Sequence, residues 1–218
     1  MEFSANLSEN MSRLQDILKA DTNFDVVYRT FTTGGQTACL YFVDGLTKDE
    51  VLLKLLQVFS SVQPKDLPPD AHGYSKRYLP YGEVDLTADV DTMVTYLLTG
   101  MSCLLIDGYR ECLIIDCRTY PARGVSEPDK DKVLRGSRDG FVETLIFNTA
   151  LIRRRIRDPK LAMEIMTAGE SSHTDIALCY MDGRVDTQLL ETIKGRIRSL
   201  HVDALTMNQE SLAECIYP

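Results

Sequence analysis

The sequence predicts a mixed α/β (α+β) fold: two small subdomains with mixed sheets, joined by a charged Pro/Gly linker. Three observations carry this expectation. β-rich runs meet at Gly34-Gly35 and again at Asp107-Gly108, each the mark of a hairpin, because glycine reaches the positive φ that tight turns require. Apolar residues recur at helical spacing in several other segments. Residues 119–138 hold two prolines, two glycines and dense alternating charge with little to bury, which is the composition of a connection between compact units.

The elements follow in order. Met11, Leu14 and Leu18 form one stripe of a helix over 8–19. Residues 24–33 and 37–43 are the strands of the first hairpin. Thr47-Lys48-Asp49-Glu50 fits a capping box at the start of a helix, whose apolar face is Val51, Leu52, Leu55, Leu56 and Phe59. Residues 63–81 contain four of the eight prolines and read as a loop. Leu86, Val90, Met93, Val94, Leu97 and Leu98 define a further helix ending at Gly100. A second hairpin runs through 103–106, the Asp107-Gly108 turn and 109–117. Beyond the linker, 140–157 is a helix with the stripe Phe141, Leu145, Thr149, Ile152 and Ile156, started by Ser137 or Asp139. Residues 161–168 and 175–181 are strands. A helix through Leu190, Ile193, Ile197 and Leu200 is opened by Asp186 or Thr187. A short strand over 202–207 and a last helix capped by Asn208 complete an α-β-β-α-β-α unit. The boundaries are therefore 1–118 for the first subdomain, 119–138 for the linker and 139–218 for the second.

Composition narrows the function classes. The 218 residues are 44% hydrophobic and 26% charged, ordinary for a globular chain and unlike a disordered tail or a coiled coil. Apolar runs stop at six residues, against about 20 for a membrane-spanning helix, and the first residues lack the basic and apolar regions of a secretory signal. A net charge of −8 argues against a nucleic-acid partner. The charge is uneven, however: 121–160 hold ten Lys/Arg against six Asp/Glu, a local +4 that leaves −12 on the rest. Cys39, Cys103, Cys112, Cys117, Cys179 and Cys215 have no CxxC pairing and mostly lie in strand-like runs, so all six are expected as buried reduced thiols of a cytosolic domain.

No motif of catalysis is present. His72, His173 and His201 are scattered without ligand spacing, so no metal is expected. There is no GxSxG, Walker lysine or GxGxxG, so neither an enzyme nor a cofactor is expected. Two clusters remain. Arg135, Ser137 and Arg138 precede the helix of 140–157 and form a candidate anion or ligand site, unless Ser137 or Asp139 merely caps that helix. Arg153, Arg154, Arg155 and Arg157 close the same helix. Cations there complement the helix dipole, and guanidinium groups also bind carboxylates and phosphates in a forked geometry. With Asp139 and Glu143 they form a candidate docking surface.

The tracts 127–129, 135–145 and 148–159, the last reading NTALIRRRIRDP, resemble the signature of the GerA spore germination family. Asp116-Cys117-Arg118-Thr119-Tyr120-Pro121 is similar to that family's tract ahead of its linker. Phe24-Asp25-Val26-Val27-Tyr28-Arg29, Asp44-Gly45-Leu46 and the wording RGSRDGFVE are nearer the family's stage V sporulation AF branch than its receptor A subunits. The resemblance implies two α/β subdomains forming the cytoplasmic N-terminal part of an inner-spore-membrane protein, with membrane helices in a C-terminal region beyond Pro218. It implies an oligomeric complex with other germination subunits, associated with ion release, and no enzymatic activity. Its alternative implication is a ligand-sensing domain of a nutrient receptor, holding a small molecule between the two units.

Overall fold

The computed structural model describes residues 1–80, 83–119, 140–205 and 209–217, apart from the side chains of 209–211. It contains seven α-helices and two antiparallel sheets among those residues, the mixed α+β class that the sequence predicts. The chain divides into two compact units, Met1–Pro159 and Lys160–Pro218.

The first unit opens with α1 (Leu7–Leu18). Asn6 caps it by accepting from the Glu9 amide, and Lys19 ends it in the left-handed conformation. β1 (Val26–Thr33) and β2 (Gln36–Val43) follow, paired over eight residues each. Gly34 (φ 55°) and Gly35 (φ 80°) make the two-residue turn. α2 (Asp49–Ser61) begins one residue later than a Thr47 cap would require. Lys48 stands at the cap without a side-chain hydrogen bond. Thr47 is buried instead, and its hydroxyl donates to the Val43 carbonyl.

The proline-rich stretch is more ordered than its composition suggests. It contains a 3₁₀ turn at Pro64–Asp66 and then α3 (Ala71–Tyr78), capped by Asp70, which accepts from the Gly73 amide at 2.7 Å. Leu86 belongs to a short strand, β3 (Val84–Thr87), and the following helix α4 (Val90–Leu98) starts at Asp89. β4 (Ser102–Ile106) and β5 (Cys112–Ile115) complete the sheet, in the order β1-β2-β4-β5-β3.

Both faces of this sheet are covered. Cys39, Tyr41, Cys103, Leu105, Cys112 and Ile114 pack with α1 and α4. Leu40, Leu104, Leu113, Ile115 and Cys117 pack with α2 and α3. That is why Cys103-Leu104-Leu105-Ile106 is continuously apolar: alternate residues of a doubly covered strand enter different cores. Each Leu so buried contributes about 1.5–3 kcal/mol.

α5 (Leu145–Arg155) also belongs to the first unit, whereas the expected boundary at 139 places it in the second. Its buried residues are Thr149, Ala150, Leu151 and Arg153. Phe141 and Ile156, expected inside, are 62% and 40% exposed. The cause is what the helix docks on. Ile146 and Ala150 sit against the Gly45 turn, where a Cβ would come within 3.0 Å of both side chains, so small residues and close backbone approach replace an apolar stripe. The linker expected over 119–138 lies, apart from Thr119, outside the described residues.

The second unit is a hairpin, β6 (Leu161–Ala168) and β7 (Thr174–Met181), with α6 (Thr187–Arg198) and α7 (Gln209–Ile216). Asp186 caps α6 by accepting from the amides of Gln188 and Leu189, as its position predicts. Ala168, Ile197 and Ile216 form the small core, with Met166, Ile176, Leu178, Ile193 and Leu200 against it. Residues 202–205 are not a strand. Their backbone pairs with the β6–β7 connection, Val202 and Asp203 carbonyls accepting from the amides of Glu170 and Ser171. Asn208 lies outside the described residues.

Candidate functional site

The arginines expected to form a docking surface lie on α5 and just beyond it, and a buried ion pair fixes that helix. Asp25 sits where the chain enters β1, and its carbonyl accepts from the Asp44 amide at 2.8 Å, closing the open end of the β1–β2 hairpin. Arg153, on the face of α5 that meets this end, donates from Nε to Asp25 Oδ2 at 2.7 Å and from Nη2 to Oδ1 at 3.0 Å. Nη1 reaches the Asp158 carbonyl at 3.4 Å. The two side chains are 0% and 1% exposed. A planar fork on a carboxylate fixes the angle as well as the position of the helix.

Arg153 is therefore not part of a surface. The expectation that four arginines form one docking patch fails at this residue, because a buried carboxylate 128 positions away in sequence claims it. Arg154 is half-buried, and Arg155, Arg157 and Glu143 are exposed. Arg157 Nε also donates to the Arg154 carbonyl at 3.1 Å, satisfying one of the last acceptors of α5. Ahead of the helix, Asn148 holds both the amide and the carbonyl of Val142 at 2.7 Å. Arg135, Ser137, Arg138 and Asp139 lie outside the described residues.

Three thiols of the first unit are shifted by burial. Desolvation pushes the Cys39 thiol up to about 12 and Cys117 to about 11, and Cys112 well above its ordinary value. Such thiols are not nucleophiles at neutral pH. Cys179, by contrast, is exposed and Cys215 half-buried, a correction to the expectation that all six are buried. On β7 the α6-facing side belongs to Leu178, and alternation turns its neighbour Cys179 away. Among the described residues no three of His, Cys, Asp and Glu are grouped to hold a metal.

Sequence reasoning passed over two arrangements. In the second unit Glu164 of β6 meets Lys194 of α6 at 2.7 Å and accepts from the Tyr180 hydroxyl of β7. Desolvation raises the Glu164 carboxyl, but the bonds from Lys194 and Tyr180 outweigh it, and the net position is below the ordinary range. The unfolded chain then binds a proton more readily, so this contribution is full above the unfolded pKa, about 4.3, and is lost as pH falls through the lower folded value. Acidification should lower the melting temperature of the second unit across that window. Glu164→Gln should flatten the profile, as followed by amide NMR signals of α6. In the first unit, a cleft of about 440 Å³ has an apolar floor including Val51, Leu55 and Ile115, and a charged rim including Lys48, Glu83 and Arg118. Neither arrangement has a motif at fixed spacing. Each is assembled from three or more elements.

The fold is that of a known receptor domain. It matches the crystal structure of the N-terminal domain of the A subunit of the Bacillus megaterium spore germinant receptor GerK3, with a TM-score of 0.72 and 21% identity over 100% of this chain and 78% of that one. The sequence is more specific: residues 12–218 match the model of the Bacillus/Clostridium GerA spore germination protein family, and the chain belongs to that family. It is 33% identical to stage V sporulation protein AF of Bacillus subtilis over 97% of its length. It is 30% identical to spore germination protein B1 of the same organism over 94%. It spans 43% and 42% of those two proteins, less than half of each.

Proposed function

We propose that this chain is a non-catalytic assembly domain of a spore germination membrane protein. It acts on the cytoplasmic side of the inner spore membrane in a complex associated with ion release. Its partners are other subunits of that complex, and the membrane anchor is supplied by the part of the protein that the chain does not span. Among the described residues no helix is long and apolar enough to cross a membrane. The observation that carries the reading is the division of labour on α5. Arg153 is bound to Asp25, and Arg155 at the end of the anchored helix and Arg157 two residues beyond it are exposed on a chain of net charge −8. Exposed guanidinium groups at the end of a fixed helix suit an acidic protein partner, with association that weakens in salt.

The double reversal Arg155→Glu/Arg157→Glu should keep the wild-type circular dichroism spectrum. It should reduce co-purification of the other subunits from spore membranes about tenfold and slow germination. Wild-type recovery of the complex by a folded double variant overturns the assignment.

The cleft of the first unit supports a second reading, a ligand-sensing domain. A site of that size, apolar below and charged at the rim, suits a small molecule with a polar head. Titration calorimetry against a panel of amino acids and sugars tests it: saturable heat that Lys48→Glu removes supports sensing, and no heat with any compound rejects it.

A further inference from the structure

We propose that the groove between the C-terminal ends of α6 and α7 seats the stretch of chain that follows residue 218, which fills it with an apolar side chain and sets a carboxylate on Arg196. The proposal rests on the assembly reading, in which the protein continues beyond this chain, and adds where its next stretch docks.

The second unit has little core for the apolar surface it carries. Its cluster holds three buried residues, Ala168, Ile197 and Ile216, and seven apolar residues packed against them are only partly buried. Its sheet has two strands among the described residues. A hairpin alone is marginal in water, and a unit of about 60 residues is marginal for want of buried surface. The first unit, by contrast, has a core on each face of its sheet. An apolar segment laid over the second unit therefore adds burial that the unit lacks.

One groove invites that segment. It holds about 730 Å³, with Leu200, Val202, Ile216 and Tyr217 as its apolar side and Arg196 and His201 as its polar rim. Leu200 and Val202 are half-buried, and Tyr217 is 56% exposed. Ile216 belongs to the groove and to the core cluster. An apolar group entering here extends that core instead of resting on a separate patch.

Arg196 supplies the polar half. Its Nη1 donates to the Ile216 carbonyl at 3.0 Å, and its guanidinium carbon lies 4.3 Å from the centroid of the Tyr217 ring. These contacts orient the group, and among the described residues its charge meets no carboxylate. The donors left over suit a carboxylate in forked geometry.

Two facts select the occupant. Ile216 and Tyr217 line the groove, so whatever follows residue 218 starts within a residue or two of it. A tethered segment so close has an effective concentration that a separate partner does not reach. The chain also covers only 78% of the solved receptor domain, so that fold includes structure with no counterpart in these 218 residues.

The test uses two thiols. Cys215 lines the groove and is half-buried, whereas Cys179 is exposed on the side of β7 turned away from α6. Maleimide labelling of both, read peptide by peptide by mass spectrometry, is compared between this 218-residue chain and the full-length protein in its native membranes. Cys215 should label about tenfold more slowly in the full-length protein, and Cys179 at the same rate in both. The occupant is then identified by p-benzoylphenylalanine placed at Val202 of the full-length protein, which on irradiation should join to residues after 218 of the same molecule. Equal labelling of Cys215 in the two proteins overturns the proposal. So does protection with the photoproduct on lipid, on another subunit or on a second copy. Either result leaves the assembly reading standing, since that reading is tested by subunit capture through Arg155 and Arg157.

Discussion

Arg153→Ala is expected to destabilise the first unit by about 3–5 kcal/mol, measured by urea unfolding with circular dichroism. The variant deprives the Asp25 carboxylate, 1% exposed, of the guanidinium that offsets its desolvation, and removes a large side chain that is completely buried. Asp25→Ala should cost a comparable amount, because it removes the carboxylate that takes the fork of a completely buried guanidinium. The double variant should cost clearly less than the two singles together, since neither charge is then left alone. α5 supplies Ala150 to the main apolar core, so the ion pair does much of its anchoring. Amide exchange in 145–155 should rise in both singles well before the central strands respond. Additive effects, or a single-variant cost under about 1 kcal/mol, would show that the pair does not anchor the helix.

Gly45→Val should cost about 2–4 kcal/mol by the same measurement. Gly45 has φ +76°, a region β-branched residues avoid, and its missing Cβ leaves room for Ala150 and Ile146 at 3.0 Å and the Ile146 carbonyl at 3.2 Å. A side chain there strains the turn and pushes α5 outward, stretching the Arg153–Asp25 fork as well. Gly108→Val is the control. Its φ is +91° and nothing lies within 4 Å of the added Cβ, so it reports backbone strain alone. The difference between the two variants measures the packing of α5 on the hairpin end. Equal costs would mean that α5 does not rest on Gly45.

Local structure was legible wherever neighbouring residues decide it. Gly34-Gly35 gave the first turn because positive φ is a property of glycine itself. Asp186 was readable as a cap because the amides it satisfies are two and three residues away. The runs at 102–106 and 112–115 read as strands, though their burial on both faces is a property of the layers around them. α3 was missed because its four nearby prolines outweighed the single capping signal at Asp70. The stripe assigned to α5 was wrong for a different reason. Periodicity assumes that a helix buries its large apolar residues, and this one rests on a glycine turn and an ion pair.

The candidate site divides in the same way. Arg155, Arg157 and Glu143 were named from sequence and are exposed, but nothing in the run Arg153-Arg154-Arg155 marks its first member as interior. Asp25 and Arg153 both lie in tracts on which the GerA resemblance rests, 24–29 and 148–159, yet their contact is invisible in either tract alone. Glu164, Lys194 and Tyr180 give no signal at all until β6, β7 and α6 are folded together.

By itself, then, the sequence determined the α+β class, the hairpins, most helices and the family, since each follows from short-range spacing or from a tract read in order. Tertiary structure alone decided that α5 joins the first unit, that one arginine of four is a buried anchor, and that β1 is left at an edge. Those outcomes depend on which side chains meet across more than a hundred residues, and a buried charge goes where the fold supplies its counter-charge, whatever its neighbours in the chain suggest.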